Sequence, residues 1–271
     1  MIGSSSHQEN VAAVRESIEM IPVAMRRMGW RVSAELMERW LRSPAWVLPS
    51  KWKSNNPPDP RTLASAHLDQ KIVRMSWAMA NPRVRIAMDE LRAKMANGPA
   101  RANLRDRIST LPWLSHQKMA FGSQSDSAVQ LDQTCQSNRV SFGGMMDTMD
   151  DLYGGIGRAT LKVALIGEAT RDARTGNDSL RITHAGFYIR DTYDFSGIQY
   201  LGTWTESGVL NKSQMLMASV SDGLTFRWGK PLGHRSNQDF ETLRRLTGVG
   251  GDFVLYSDVY WERVDLLLDL S

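Results

Sequence analysis

Thr183-His184-Ala185-Gly186-Phe187-Tyr188-Ile189-Arg190-Asp191-Thr192-Tyr193-Asp194-Phe195 is the stretch on which the fold turns. Its apolar and aromatic run is too short for a helix, carries no proline, and has the character of a buried strand. Arg190, Asp191, Tyr193 and Asp194 follow at once, so a strand end and a set of ionisable groups coincide. Upstream, Thr175-Gly176-Asn177-Asp178 reads as a hairpin tip between an outgoing strand, Leu161-Lys162-Val163-Ala164-Leu165-Ile166-Gly167, and a return strand from Leu180 to Tyr188. Downstream, Gln199 to Thr205 reads as a third strand and Asn211 to Ala218 as a short helix. Gln238 to Leu246 has the signals of a helix capped by Ser236 or Asn237 and closed by Gly248, and Asp252 to Arg263 reads as the last strand.

The chain before this region has a different period. Pro22 to Met28 fits a short helix closed by Gly29, and Leu36, Met37, Trp40 and Leu41 recur at helical spacing before Pro44. The proline-rich segment from Pro49 to Pro60 is a loop. Leu68, Ile72, Met75 and Met79 suggest a helix ended by Asn81-Pro82, and Val84, Ala87, Met88, Leu91 and Met95 suggest another before Asn97-Gly98-Pro99. Periodicity fades from Leu111 to about Asp151. Gly154-Gly155-Ile156-Gly157 lacks the strand–loop–helix setting of a dinucleotide site.

Helices first and strands afterwards, without sustained βαβ alternation, predict an α+β protein with a helical N-terminal half and a mainly antiparallel, strand-rich C-terminal half. The expected regions are 1–115, helical and rich in Trp and Met; 116–151, a polar connecting segment; and 152–271, the strand-rich domain with the candidate site. Charge follows the same division: residues 1–115 carry 18 Lys+Arg against 10 Asp+Glu, a net of +8, and residues 116–271 carry 15 against 19, a net of −4. This offset, with no dense basic run, argues against nucleic acid as a partner. It leaves the first half as a candidate face for docking another protein.

Cys135 is the only cysteine, so disulfides and cysteine-based metal sites are excluded. No apolar run approaches the roughly 20 residues of a membrane-spanning helix. The first residues lack the basic-then-apolar order of a signal peptide, which leads us to expect a chain that folds in a reducing cytoplasm.

The chemistry points to Asp191, Tyr193 and Asp194 at the strand end, and to His234-Arg235 on an expected loop between Gly229 and Asn237. Two neighbouring carboxylates can share a divalent cation such as magnesium, or divide into acid and base. In a metal-assisted hydrolysis Asp191 and Asp194 would bind the cation or activate water, and Tyr193 would donate a hydrogen bond. His234 would act as general acid or base, and Arg235 would hold an anionic substrate. The competing reading is that Asp-x-Tyr-Asp only hydrogen-bonds a turn and that the protein works by binding.

Two resemblances bear on this choice. Over nearly its whole length the chain resembles an uncharacterised proteobacterial family known only as a domain of unknown function. The resemblance is carried by Met25-Arg26-Arg27-Met28-Gly29-Trp30 with Ile21-Pro22, Leu36-Met37-Glu38-Arg39-Trp40, Ser43-Pro44-Ala45-Trp46, Lys162 to Glu168, the opening stretch, Leu201-Gly202-Thr203-Trp204, and Gly251-Asp252-Phe253 with Ser257-Asp258-Val259. It implies gene company with type VI secretion components. The chain is then expected to be an antibacterial effector, cytoplasmic in the producing cell and delivered into a target cell, or else a secretion adaptor or immunity protein. Locally, Asp191-Thr192-Tyr193-Asp194 is similar to the Asp-x-Tyr-Asp of colicin M-type bacteriocins, which cleave the lipid-linked peptidoglycan precursor at its pyrophosphate with magnesium. In that family a His-Arg pair follows after five residues, where this chain has Tyr200-Leu201; its nearest His-Arg is His234-Arg235.

Overall fold

A computed structural model describes residues 12, 15–54, 56–113, 117–144, 147–196, 200–210 and 231–270. The chain divides into two compact units, each assembled from separate stretches. The first comprises Met1–Lys53, Met146–Gly157 and Thr192–Phe253; the second comprises Ser54–Met145, Arg158–Asp191 and Val254–Ser271. In chain order the strands are β1 (Leu68–Asp69), β2 (Lys118–Phe121), β3 (Gln136–Phe142), β4 (Ala159–Arg171), β5 (Asp178–Tyr193), β6 (Tyr200–Thr205), β7 (Gly208–Val209), β8 (Pro231–Ser236), β9 (Phe253–Tyr256) and β10 (Tyr260–Asp269).

The second unit is built on a seven-stranded sheet whose spine is the β4–β5 hairpin, paired antiparallel from Thr160↔Arg190 to Arg171↔Asp178. Each outer edge of this hairpin is shared by two strands. Along β4, β3 covers the first half and β2 the half near the tip; along β5, β10 pairs from Ser179 to Phe187 and β9 takes a further stretch. Both spine strands are buried on two faces for much of their length, which is why Leu161–Ile166 and Ala185–Ile189 read as nearly continuous apolar runs. β1 lies parallel to β9, making the sheet mixed, although β10 with β5, β2 and β3 with β4, and β4 with β5 all pair antiparallel.

The α+β class holds. Strand and helix are less cleanly segregated than expected, because β1 comes from within the region read as helical. The helix expected over Leu68 to Met79 is only Met75–Ala78. Asp69 stops it: its carboxylate accepts from the backbone N–H groups of Lys71 and Ile72, a local turn that competes with helix formation. Helix Pro82–Lys94 forms as expected, capped by Asn81. A second helix, Gly98–Ser109, begins where the sequence reading ended one: Asn97 accepts from Ala100 N–H and Pro99 occupies the first turn. Cys135 is buried, and burial pushes its thiol up to about 11.

A buried polar cluster sits in the core of the second unit. Asp132, from helix Ala128–Thr134, accepts from Lys162 Nζ at 2.6 Å, Tyr188 Oη at 2.9 Å and Tyr256 Oη at 2.7 Å. All four side chains are at least nine-tenths buried, so each depends on the others for the hydrogen bonds that water would otherwise supply.

The first unit contains helices Ile21–Arg27, Arg31–Arg42, Asp151–Ile156 and Asn237–Thr247, with a three-stranded sheet in the order β7-β6-β8. Gly154 and Gly155 lie within helix Asp151–Ile156. Their small size serves helix packing: a Cβ on Gly154 would stand 2.8 Å from Trp30 Cε3, and one on Gly155 3.3 Å from Leu36 Cδ1. Asp151 accepts from the backbone N–H groups of Val32 and Ser33, capping helix Arg31–Arg42 from another segment. Helix Asn237–Thr247 has the expected signals, with Ser236 and Asp239 forming a capping box and Gly248 at φ 72° ending it. Among the described residues no helix is long and apolar enough to cross a membrane. The expected helix from Asn211 to Ala218 lies outside the described residues.

Candidate functional site

The strand that opened the sequence reading is longer than expected. β5 continues past Tyr188 to Tyr193, so Asp191 and Tyr193 are strand residues, and the chain passes into the first unit between Asp191 and Thr192. Asp191 is half-buried in the second unit, whereas Tyr193, Asp194 and Phe195 belong to the first.

Tyr193 is a core residue. Its ring stacks on Phe253 at 5.2 Å between centroids and meets Phe195 edge-on at 5.5 Å. Its hydroxyl points at Met37 Sδ, 3.9 Å away, and burial pushes the phenol well above its ordinary range, which makes it a poor base near neutral pH. Phe195 stacks on Phe240 at 4.1 Å and meets Trp40 edge-on at 4.8 Å. Arg39 completes the cluster over the Phe253 ring.

Asp194 faces outward from this aromatic cluster. Its Oδ1 accepts from Lys53 Nζ at 2.5 Å and from Ser196 Oγ at 2.7 Å, and its Oδ2 accepts from Thr192 Oγ1 at 3.0 Å. Lys53 also donates to Ser196 Oγ at 2.8 Å. The carboxylate therefore already carries a cation and two hydroxyls. Among the described residues, no group of three or more His, Cys, Asp or Glu is placed to hold a metal ion.

His234 and Arg235 are not on a loop. They lie within β8, paired opposite Thr203 and Gly202 of β6. The glycine and proline that suggested a loop instead accompany a strand of a small sheet, where the neighbouring β6 supplies backbone partners. β8 runs directly into helix Asn237–Thr247, and Asn237 Nδ2 donates to Ser196 O at 2.5 Å. The structure thus brings Tyr193, Asp194 and Ser196 together with the start of this helix, while Asp191 is grouped with the other unit.

Beside Phe195 and Ser196 lies a feature that the sequence did not disclose, an open groove of about 690 Å³. One wall is Ala45-Trp46-Val47 and the other is the last turns of helix Asn237–Thr247, with Glu241, Arg244 and Arg245. Ala45 and Trp46 donate to the carbonyls of Gly248 and Gly250, and Trp46 O accepts from Asp252 N–H. Arg244 is buried and pairs with Asp252, whose other contacts are Trp40 Nε1 at 2.9 Å and Leu48 N–H at 3.0 Å. Sequence reasoning missed Lys53 and Asp252 as site residues because Asp194 and Trp40, their partners, are 141 and 212 positions away in the chain. The available signal was local: Glu241, Arg244 and Arg245 fall at i, i+3 and i+4 on one helix face.

Residues 17–269 match the model of a family of unknown function, DUF6402, and the chain belongs to that family. No curated protein and no solved structure matches the chain.

Proposed function

We propose that this DUF6402 member acts by binding a partner protein, and that the groove beside Phe195 and Ser196 is where it does so. The observation that carries the reading is the way the strand exit is used. Tyr193 is committed to an aromatic core and Asp194 to Lys53, while the residues just beyond them open onto a concave surface with one apolar wall and one charged wall. The type VI secretion company implied by the sequence resemblance makes a secretion-apparatus component or an immunity protein the partner class. The metal-assisted hydrolase reading, with Asp191, Asp194, His234 and Arg235 acting on a phosphate ester or pyrophosphate, is the alternative that the experiment must separate.

Products of genes neighbouring this one are co-expressed with the full chain, wild type or Val47→Asp, and recovered together by affinity purification. Val47 is 58% exposed in the groove wall, so the substitution is expected to leave the fold intact by circular dichroism and to abolish co-recovery. The same chain is expressed in the bacterial cytoplasm and, separately, in the periplasm. Killing that disappears in both Asp191→Ala and Asp194→Ala, with the fold retained, would replace the binding reading by the catalytic one.

A further inference from the structure

We infer that the groove takes an extended peptide segment of a partner protein in which an apolar side chain neighbours a carboxylate. This rests on the partner-binding reading above and names the chemistry of the same site.

Three observations set that chemistry. The first is the apolar surface: Phe195, Trp46 and Val47 line the groove, and Val47 is left largely uncovered. An apolar side chain seated there removes this surface from water. The second is charge. The lining holds two arginines, Arg244 and Arg245, and one carboxylate, Glu241; Arg244 is paired with Asp252 as the nearby Lys53 is with Asp194, so Arg245 is the arginine placed to meet an incoming carboxylate. Arg244 is fixed from behind by Asp252 and stands 5.2 Å from the Trp40 ring centroid, and its buried Nε has no hydrogen-bond partner among the described residues. Arg245 beside it is exposed, and its planar fork matches a carboxylate.

The third observation is the backbone of the wall. Ala45 and Trp46 spend their N–H groups on Gly248 and Gly250, but Val47 makes no backbone hydrogen bond among the described residues. An unused N–H and C=O next to the Trp46 bridge is what an added peptide backbone pairs with, and this mode of recognition reads alternate side chains of the incoming peptide. It favours a peptide over a compact small molecule.

The test uses the full chain and dye-labelled, acetylated hexapeptides of alanine with a central leucine-aspartate, leucine-asparagine or leucine-lysine pair, followed by fluorescence polarisation. The aspartate peptide is expected to bind at least tenfold more tightly than the asparagine peptide, and the lysine peptide not to bind. Arg245→Glu should invert the order and Val47→Asp should abolish binding, with circular dichroism unchanged in both. Equal binding of all three peptides, lost in Val47→Asp, would overturn the acidic preference and leave the groove as a binding site. Absence of peptide binding, or binding indifferent to Val47→Asp, would overturn the peptide inference; the proposed function is then judged separately by partner co-recovery. Displacement of the aspartate peptide by hexanoate at equal concentration would also overturn it, by identifying a small amphiphile as the ligand.

Discussion

Each unit holds a buried carboxylate paired with a buried cation, and the two cations differ. In the second unit Asp132 receives Lys162 and the hydroxyls of Tyr188 and Tyr256; in the first, Asp252 receives Arg244, the Trp40 indole N–H and the Leu48 backbone N–H. The donor sets are equal in number, one charged and two neutral. The cations differ in what they can do when the partner is removed. A lysine can give up its proton, whereas an arginine cannot within any accessible pH. Desolvation already holds the Lys162 ammonium below its ordinary range, against the opposing pull of Asp132. The core of the second unit is therefore addressable by pH in a way that the core of the first is not.

The largest expected effects test this contrast directly. Asp132→Ala and Asp252→Ala should each lower stability by about 3–5 kcal/mol at pH 7, because each leaves a buried cation uncompensated. Urea unfolding measures both. Without Asp132, the folded-state pKa of Lys162 falls further below its unfolded value, so the unfolded chain binds more protons in the interval between them and stability rises with pH there. The Asp132→Ala deficit should therefore shrink between pH 7 and pH 9, while the Asp252→Ala deficit stays constant. A flat Asp132→Ala deficit would break the comparison.

Next in size is an alkaline transition. Burial raises the phenol pKa of Tyr188, Tyr193 and Tyr256 above the ordinary value, with the Asp132 charge adding to it for Tyr188 and Tyr256. The folded chain keeps these protons while the unfolded chain loses them above pH 10, so the stability they contribute is present below that pH and lost as pH rises. Each contributes a slope of about 1.4 kcal/mol per pH unit. Tyr193→Phe, which deletes a hydroxyl whose partner among the described residues is Met37 Sδ, should remove one such slope at little cost near neutrality. Unchanged steepness between pH 10 and pH 11 would show that Tyr193 ionises in the folded state.

These buried clusters also mark the limit of what the residues disclosed in order. The β4–β5 hairpin was legible because both strands are apolar over several residues and Thr175–Asp178 is turn chemistry between them. Helix Asn237–Thr247 was legible through its capping signals. Helix Gly98–Ser109 was not: its buried positions, Ala100, Leu104 and Ile108, are sparse, and Asn97-Gly98-Pro99 ends one helix and begins another with the same residues. The strand exit was located by its ionisable groups, but their use was hidden. Lys53, which neutralises Asp194, comes from a segment that reads as loop, and no local pattern links residues so distant in sequence. His234-Arg235 was misplaced because strand β8 is short and borrows its hydrogen bonds from β6, a tertiary effect that glycine and proline counting does not capture.

Packing gives a smaller effect confined to the first unit. Gly154→Ala gains helix propensity of about 1 kcal/mol, yet the new methyl would stand 2.8 Å from the Trp30 ring, where overpacking costs roughly 1–3 kcal/mol. The net expectation is a loss of about 1 kcal/mol, read as a lower urea midpoint, and Trp30→Phe should relieve part of it by vacating ring volume. A stabilised Gly154→Ala would mean that the contact between helices Asp151–Ile156 and Arg31–Arg42 yields easily.

The smallest effect belongs to Asp194, at the exit of β5. Its side chain is 13% exposed and that of Lys53 is 27% exposed, so water screens the pair and the hydroxyls of Thr192 and Ser196 are cheaply rehydrated. Asp194→Ala should cost under about 1 kcal/mol, well below either buried carboxylate, and Lys53→Ala should cost no more. Because the two residues share one interaction, their double variant should lose less than the sum of the single losses. A deficit for Asp194→Ala as large as that for Asp132→Ala would place Asp194 among the structural carboxylates. A near-zero stability cost joined to a loss of partner binding would instead make the Lys53–Asp194–Ser196 contact a support of the groove, since Ser196 lines that groove and hydrogen-bonds to both charged residues.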